Sequence, residues 1–288
     1  MRLDTPTSIA QALASLSEPG ARCLAGGQSL GVMLNARLVE PTVLVSLRCI
    51  DELRAIDVLP DGSLRIGAMT SYAAAGRLPV TSGSTELIVD AIPLIAHPPI
   101  RNQGTLGGSI CHADPAGDLP TLAACVDARI RIAHERGVRE VPAAKFFRGY
   151  FETAVQPGEL VISIDVPRTP DGVRARYEKF MLTEGDFAVV SVAALVGWDG
   201  TSCDFARMAI GACAAAPVHC AEADALLVGS ALDDETLRRA SEILLEACDP
   251  PDDFRGSHEY RMKLIPRLLR RAVLAAKARA GPTEHSRA

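Results

Sequence analysis

The sequence predicts a protein of the α+β class, and three observations lead to this prediction. In residues 1–171, alternating or β-branched runs are interspersed with helical patterns. Three more strand-like runs follow residue 172, and two helical patterns come after them. Strands with interspersed helices, followed by a block of strands and a block of helices, are typical of α+β proteins.

The first half is predicted element by element from its apolar spacing. Thr7 and Ser8 precede a helical pattern that Pro19 ends. A short strand then leads to a glycine turn, and Ser29 is a natural N-cap for a helix that begins at Leu30. A strand at 43–47 completes a βαβ-like order, and a further strand is predicted at 64–68. A buried helix is predicted at 85–97.

Alternating runs predict further strands after residue 126, the first of them antiparallel. Alternation predicts strands within 126–141 and at 160–167, and the segment 167–172 is the best candidate boundary. The final eight or so residues are polar, so we expect them to be frayed. The elements predicted after the boundary are strands at 177–180, 188–196 and 205–211 and helices at 235–248 and 259–280.

Composition limits the function classes. The 288 residues are 48% hydrophobic, enough for about two domains with real cores. The formal charge of −5 gives no electrostatic reason to bind nucleic acid or an anionic membrane. No apolar stretch is long enough to span a membrane, and the N-terminus lacks the pattern of a signal peptide, so a cytoplasmic protein is expected. Eight scattered cysteines without a C-x-x-C favour reduced thiols over a metal site or an iron–sulfur site.

Two glycine-bearing segments about 80 positions apart predict an anion site. They are Ala25-Gly26-Gly27-Gln28-Ser29 and Thr105-Leu106-Gly107-Gly108-Ser109. Paired glycines let backbone N–H groups approach a ligand, and a helix start adds positive partial charge, which suits the pyrophosphate of a dinucleotide. Neither a G-x-G-x-x-G nor a P-loop is present, so the dinucleotide fold must be a different one. Each glycine pair alone could equally be a simple turn.

Ordered motifs over nearly the whole chain resemble the FAD-binding (medium) subunit of molybdenum hydroxylases, the carbon monoxide dehydrogenase and xanthine dehydrogenase family. The most specific is Ile100-Arg101-Asn102-Gln103-Gly104-Thr105-Leu106-Gly107-Gly108-Ser109, followed by Ala113-Asp114-Pro115-Ala116-Gly117-Asp118-Leu119-Pro120. The other motifs, in chain order, are the first glycine turn, Ile66-Gly67-Ala68, Gly158-Glu159-Leu160, Tyr177-Glu178-Lys179, Gly185-Asp186-Phe187-Ala188 and Gly256-Ser257-x-Glu259-Tyr260-Arg261.

The resemblance implies a fold similar to that of vanillyl-alcohol oxidase (PCMH-type). Two FAD-binding subdomains, 1–57 and 58–171, would precede a C-terminal domain, 172–288, with a three-stranded sheet and helices. FAD would be bound non-covalently. Molybdopterin would lie on a large partner subunit and the [2Fe–2S] clusters on a small one, in a dimer of heterotrimers.

The resemblance also implies a set of cofactor-binding residues. Backbone amides of the first glycine turn would hold the pyrophosphate, and the second segment would contribute from the opposite wall. Asp118 would bond to FAD, Val161 would pack near the flavin, and Lys179 would approach its pyrimidine end. Three alternatives stay open: Asp118 as a helix cap, Val161 as a core residue and Lys179 as an exposed strand lysine. The full set is Ala25, Gly26, Gly27, Gln28, Ser29, Leu30, Thr105, Gly107, Gly108, Ser109, Asp118, Val161 and Lys179.

The implied function is an electron relay in an oxidoreductase. Electrons would pass from the clusters of a partner subunit through FAD to an external acceptor, and no side chain of this chain would act as a catalytic base. Arg101 would hold its own loop. Many relatives carry arginine a few residues after the lysine, where this chain has Thr183-Glu184, so a less positive field disfavours NAD as the acceptor. The rival hypotheses are a stand-alone flavin oxidase or reductase of the same fold and a flavin-free scaffold.

Overall fold

The computed structural model describes residues 1–280, which form eleven α-helices and several β-sheets. The strands are β1 (Arg2–Asp4), β2 (Ala21–Leu24), β3 (Val43–Ser46), β4 (Ile56–Val58), β5 (Leu64–Gly67), β6 (Arg129–His134), β7 (Gly137–Pro142), β8 (Phe147–Gly149), β9 (Glu152–Thr153), β10 (Leu160–Val166), β11 (Arg174–Phe180), β12 (Val190–Trp198) and β13 (Cys203–Gly211). The helices are α1 (Ile9–Leu16), α2 (Leu30–Asn35), α3 (Tyr72–Ala75), α4 (Gly83–Ala91), α5 (Pro98–Gln103), α6 (Leu106–His112), α7 (Asp118–Cys125), α8 (Ala143–Phe146), α9 (Ala221–Leu227), α10 (Asp234–Glu246) and α11 (His258–Arg279).

The N-terminal sheet is small and parallel, with strand order β1-β3-β2. Helix α1 begins as predicted at Ser8, whose side chain accepts a hydrogen bond from the backbone N–H of Gln11. It buries Ala12, Leu13 and Leu16 against the sheet. Strand β2 reaches the parallel strand β3 through α2, so the predicted βαβ order is confirmed. This unit places the first glycine segment between a strand and a helix.

The second sheet has five antiparallel strands in the order β4-β5-β10-β6-β7. Strand β10 lies at its centre, and Arg65 on β5 forms an ion pair with Asp165 on β10 at 2.6 Å. Helices α4, α6 and α7 contribute to the largest hydrophobic core together with this sheet. The second glycine segment, at the start of α6, is therefore anchored in the main core.

The third sheet, β11-β12-β13, carries the C-terminal part of the chain. Its central strand β12 is almost entirely buried because α10 and α11 lie on one side and α4 and α7 on the other. The sheet and helices confirm the predicted α+β class. Because α4 and α7 pack on β11–β13, the third sheet contacts the same helices that complete the core of the second sheet.

Several predicted boundaries shift for local physical reasons. The helix predicted at 85–97 ends at Ala91 and gives way to a 3-10 turn, because Pro93 cannot continue the hydrogen-bond ladder. Short elements without a strong apolar period, such as β4 and α9, were not predicted. All eight cysteines are free thiols. Within residues 1–280, no helix is both long and apolar enough to cross a bilayer, and the tail predicted to be frayed lies outside the described residues.

Candidate functional site

The first glycine segment leaves a row of backbone donors free. Within residues 1–280, the backbone N–H groups of residues 26–30 have no hydrogen-bond acceptor. Gly27 has a φ of +72°, a left-handed conformation that a side chain would strain. Ser29 is the N-cap of α2 as predicted, but its side chain makes no capping bond. Consecutive free amides at a turn are the usual backbone arrangement for binding an anion.

Helix α2, which follows this turn, has little covering it. None of its residues is buried, although its sequence Leu-Gly-Val-Met-Leu-Asn is mostly apolar. Val32 is 65% exposed, and Leu38 just beyond the helix is 71% exposed. An apolar helix whose residues are at most partly buried gains little from packing within its own chain, which is typical of a surface that a ligand or another chain covers.

The second glycine segment is built differently, because its amides already have partners. The N–H of Gly107 donates to the carbonyl oxygen of Ala68 at 2.9 Å. The N–H of Gly108 donates to the Thr105 hydroxyl at 3.1 Å, and the N–H of Ser109 donates to the Thr105 carbonyl at 3.1 Å. Leu106, Gly107 and Ile110 are buried. This wall can therefore offer hydroxyl groups and shape to a ligand, but not the amides of residues 107–109.

The two walls touch, and at Gly26 the contact is so close that only glycine fits. A Cβ on Gly26 would overlap the carbonyl oxygen of Gln103, and a Cβ on Gly108 would lie 3.6 Å from the Cβ of Ala25. A cavity of about 60 Å³ opens beside this contact, lined by both walls. Arg48 and Arg54 also line it, and no sequence pattern pointed to them. They bring positive charge to the edge of the same cleft.

A buried polar cluster joins the start of α7 to β11. Asp118 and Lys179 form an ion pair, with Nζ 3.0 Å from Oδ2, and the Lys179 side chain is only 1% exposed. Lys179 also donates to the carbonyl oxygen of Leu94 at 3.1 Å. The Tyr177 hydroxyl donates to the other carboxylate oxygen of Asp118 at 2.7 Å. Sequence reasoning missed the role of Tyr177, because the contact depends on the packing of β11 against α7.

The charges of this cluster are set by burial and by one another. Burial raises the pKa of the Asp118 carboxyl, and the Lys179 ammonium and the Tyr177 hydroxyl act against that rise. Burial also raises the pKa of Tyr177, so its hydroxyl stays protonated and donates. Lys179 is therefore not an isolated cation, because a carboxylate neutralises much of its field.

The predicted site residues fall into two groups in space. Ala25 to Leu30 face the segment from Thr105 to Ser109, whereas Asp118 and Lys179 are paired in the buried cluster. Tyr72 lies between the groups: burial raises the pKa of its hydroxyl to about 12, and the Ser109 side chain beside it acts against that rise. Val161 is buried in the main core.

The alternatives for single residues are resolved by their contacts. The N-cap of α7 is Gly117, and no side-chain cap is formed, so Asp118 is not a helix cap. Lys179 is not an exposed strand lysine. Arg101 donates to the carbonyl oxygens of Ile95 and Ala96, at 3.0 and 2.6 Å, which confirms that it holds its own loop.

The residues present fit a dinucleotide better than a metal. Five consecutive free amides at residues 26–30 can bind the oxygens of a pyrophosphate, and the uncovered helix α2 leaves room for an extended ligand. Among residues 1–280, no group of three or more His, Cys, Asp or Glu side chains could hold a metal ion.

Known proteins resemble the chain over its whole described length. Residues 1–169 match the family described as the FAD binding domain in molybdopterin dehydrogenase, and residues 175–276 match the CO dehydrogenase flavoprotein C-terminal domain. The carbon monoxide dehydrogenase medium chain of Afipia carboxidovorans is 38% identical over 278 residues, 96% of each chain. The 6-hydroxypseudooxynicotine dehydrogenase complex subunit alpha of Paenarthrobacter nicotinovorans is 33% identical, over 97% of this chain and 95% of the relative.

A solved structure agrees with the sequence comparisons. Reconstituted CO dehydrogenase from Oligotropha carboxidovorans contains a chain that superposes with a TM-score of 0.93 at 37% identity, covering 97% of this chain and 98% of that one. The resemblance stated from the sequence is thus confirmed, as is the FAD-binding fold with its C-terminal domain. The chain belongs to the family of FAD-binding medium subunits of the carbon monoxide dehydrogenase and xanthine dehydrogenase type of oxidoreductase.

Proposed function

We propose that this chain is the electron-transfer subunit of a heterotrimeric molybdenum hydroxylase. It takes electrons from [2Fe–2S] clusters on a small partner subunit and passes them through FAD to an external acceptor. The observation that supports this most strongly is the row of free amides at residues 26–30, which faces a second wall across a narrow contact. A flavin-free scaffold would have no use for unpaired amides beside an uncovered apolar helix.

The residues of this chain bind and orient the cofactor. The amides of residues 26–30 take the pyrophosphate, while the hydroxyls of Thr105 and Ser109 contribute from the second wall. Asp118 accepts from hydroxyl groups of the cofactor, and Lys179 lies at the pyrimidine end of the flavin with Val161 in the packing beneath. When bound, FAD supplies the reversible storage of electrons between the clusters and the acceptor. No side chain of the chain needs to act as a general base.

The rest of the chemistry belongs to partner subunits. The complexes named among the relatives include carbon monoxide and caffeine dehydrogenases, so the substrate is chosen outside the medium chain. We propose a large molybdopterin subunit, a small [2Fe–2S] subunit and a dimer of such heterotrimers in the cytoplasm. Within this chain, we propose that 1–57 and 58–171 are the two FAD subdomains and 172–288 is the C-terminal domain.

The test is the visible spectrum of the chain co-expressed with its genomic neighbours, with the released cofactor identified by chromatography. The proposal predicts flavin and iron–sulfur absorption in a three-subunit complex and one FAD for each copy of this chain. A colourless chain in that complex would exclude electron relay and favour the scaffold. Flavin that is reduced by a substrate in the isolated chain would instead favour the stand-alone oxidase.

The variant Gly27→Ala provides a matched comparison for this test. It places a Cβ on a left-handed glycine of the first wall, while Gly172→Ala does the same at φ +84° in a turn outside the two walls. Both variants carry similar backbone strain, about 1 kcal/mol. The proposal predicts that Gly27→Ala lowers the FAD content and that Gly172→Ala leaves it unchanged.

A further inference from the structure

Tyr177 is completely buried, and backbone contacts fix its position on β11. Its backbone N–H donates to Oδ2 of Asp90 on α4 at 3.0 Å, and its neighbour across the sheet is Ala193 on β12. The ring packs in the main core. Its hydroxyl therefore has little freedom to move relative to the start of α7, where Asp118 lies.

The hydroxyl of Tyr177 completes the hydrogen bonding of a carboxylate that has few other partners. Oδ1 of Asp118 accepts from Tyr177 at 2.7 Å, and Oδ2 accepts from Lys179 at 3.0 Å. Lys179 divides its donors between Asp118 and the Leu94 carbonyl. A buried carboxylate with one oxygen unpaired is costly, so the tyrosine acts together with the Lys179 ammonium to keep Asp118 charged, and it fixes the direction of Oδ1.

The hydroxyl of Tyr177 lies among other buried polar side chains. Ser191 on β12 lies against that hydroxyl. A Cβ added to Gly211 on β13 would overlap the hydroxyl of Thr121 and lie 2.5 Å from that of Ser191. These neighbours belong to α7 and β12. Within residues 1–280, Tyr177 is the one side chain that donates to Oδ1 of Asp118, so removal of its hydroxyl takes away the donor of that oxygen.

We propose that Tyr177 is a positioning residue for FAD: its hydroxyl orients the Asp118 carboxylate and keeps it ionised, and so maintains FAD binding at mildly acidic pH. The inference rests on the proposed function, because it assumes that Asp118 accepts a hydrogen bond from the cofactor. Tyr177 would thus affect FAD binding through Asp118, without itself contacting FAD.

The expected pH dependence follows from the groups around Asp118. Lys179 and Tyr177 face it from β11 and Tyr72 from α3, while Lys179 also helps to lower the pKa of Asp186. Burial already raises the pKa of Asp118, and Tyr177 is one of the groups that limit the rise. The charged form is lost as pH falls through the folded-state pKa, so removal of the hydroxyl moves that loss to a higher pH.

The test is Tyr177→Phe in the complete complex, with FAD retention measured by flavin fluorescence from pH 5 to pH 8. We expect roughly tenfold weaker binding at neutral pH, since a hydrogen bond to a charged group is lost. We also expect the pH midpoint of FAD release to rise by about one unit. Tyr150→Phe removes the hydroxyl of a half-exposed tyrosine and should change neither quantity.

Two further variants separate positioning from mere folding. Asp118→Asn should abolish the acid midpoint, and adding Tyr177→Phe to it should cause no further change in FAD binding, because both act through one carboxylate. A lower melting temperature for Tyr177→Phe with an unchanged midpoint would overturn the inference. If the wild-type complex itself held no FAD, the proposed function would fail first. Wild-type binding with an unaffected Tyr177→Phe variant would remove only the positioning role.

Discussion

The first glycine segment leaves its backbone amides free, whereas the second uses them to build the protein. The amides of residues 26–30 have no acceptor in the described chain, but those of Gly107, Gly108 and Ser109 bond to Ala68 and Thr105. Helix α2 has no buried residue, while α6 is anchored in the main core. Two Gly-Gly pairs that look alike in sequence therefore differ in their backbone: the amides that follow the first pair stay free, whereas those of the second pair are already used within the fold.

This difference separates folding effects from binding effects. Changes in the second wall should lower the stability of the chain without cofactor, because the wall is part of the core. Changes in the first wall from Gly27 onward should weaken FAD binding with little effect on that stability, whereas Gly26 lies at the contact between the walls and should affect both.

Gly26→Ala should have the largest effect because this glycine joins the two walls. Its Cβ would overlap the backbone of Gln103, which cannot move aside as a flexible side chain could. Overpacking of this kind costs up to about 3 kcal/mol and lowers the stability of the FAD-free chain. The turn can relieve the clash only by moving away from the second wall, so FAD affinity should also fall, by roughly a hundredfold. Titration of the chain with FAD, followed by fluorescence, measures this. Affinity within about threefold of the wild type would show that the walls are not in firm contact.

Gly107→Ala should act mainly on folding. The new Cβ would lie 2.5 Å from the Cβ of Ala68 and 2.7 Å from its carbonyl oxygen, at the bond that anchors α6. We expect a loss of about 2 kcal/mol in the free energy of unfolding of the FAD-free chain. Urea unfolding measures it. Unchanged stability with lost FAD binding would mean that this glycine serves the ligand directly.

Gly27→Ala should have the opposite effect and weaken FAD binding more than folding stability. Gly27 has φ +72° and only one neighbouring atom at 3.5 Å, so the change introduces strain and no serious clash. We expect roughly fivefold weaker FAD binding, from about 1 kcal/mol of strain in the FAD-binding conformation. Because the free turn can relax, the melting temperature should hardly change. Gly172→Ala, with φ +84° and open space around it, is the matched control and should leave FAD binding unaltered.

Removal of the hydroxyl of Thr105 or of Ser29 should have the smallest effects on stability. Thr105 accepts from the N–H of Gly108, so Thr105→Ala should cost about 1 kcal/mol of unfolding free energy. Ser29 makes no capping bond, so Ser29→Ala should cost less than about 0.5 kcal/mol. Paired urea unfolding of the two variants tests this. An equal loss of stability in both would contradict the contrast between the walls.

Local sequence patterns predicted the two glycine walls, but not which of their backbone amides would be hydrogen-bonded within the chain. The Ser8 cap and the βαβ order were predictable because caps and apolar periods act within a few residues. The bond from Gly107 to Ala68 joins positions 39 apart in the sequence, and the bond from Tyr177 to Asp118 joins positions 59 apart. Such contacts depend on how the helices pack against the sheets, and a pattern of a few neighbouring residues does not determine that packing. The burial of Lys179 was hidden for the same reason.

Hydrogen–deuterium exchange of the full chain, with and without FAD, shows directly which of the two glycine segments binds the cofactor. Without FAD, the amides of residues 26–30 should exchange rapidly, whereas those of residues 107–109 should already be protected. Saturating FAD should slow exchange at residues 26–30 by at least about tenfold and leave residues 107–109 nearly unchanged. Protection that appears at 107–109 but not at 26–30, or at neither segment, would contradict the claim that the first wall holds the cofactor.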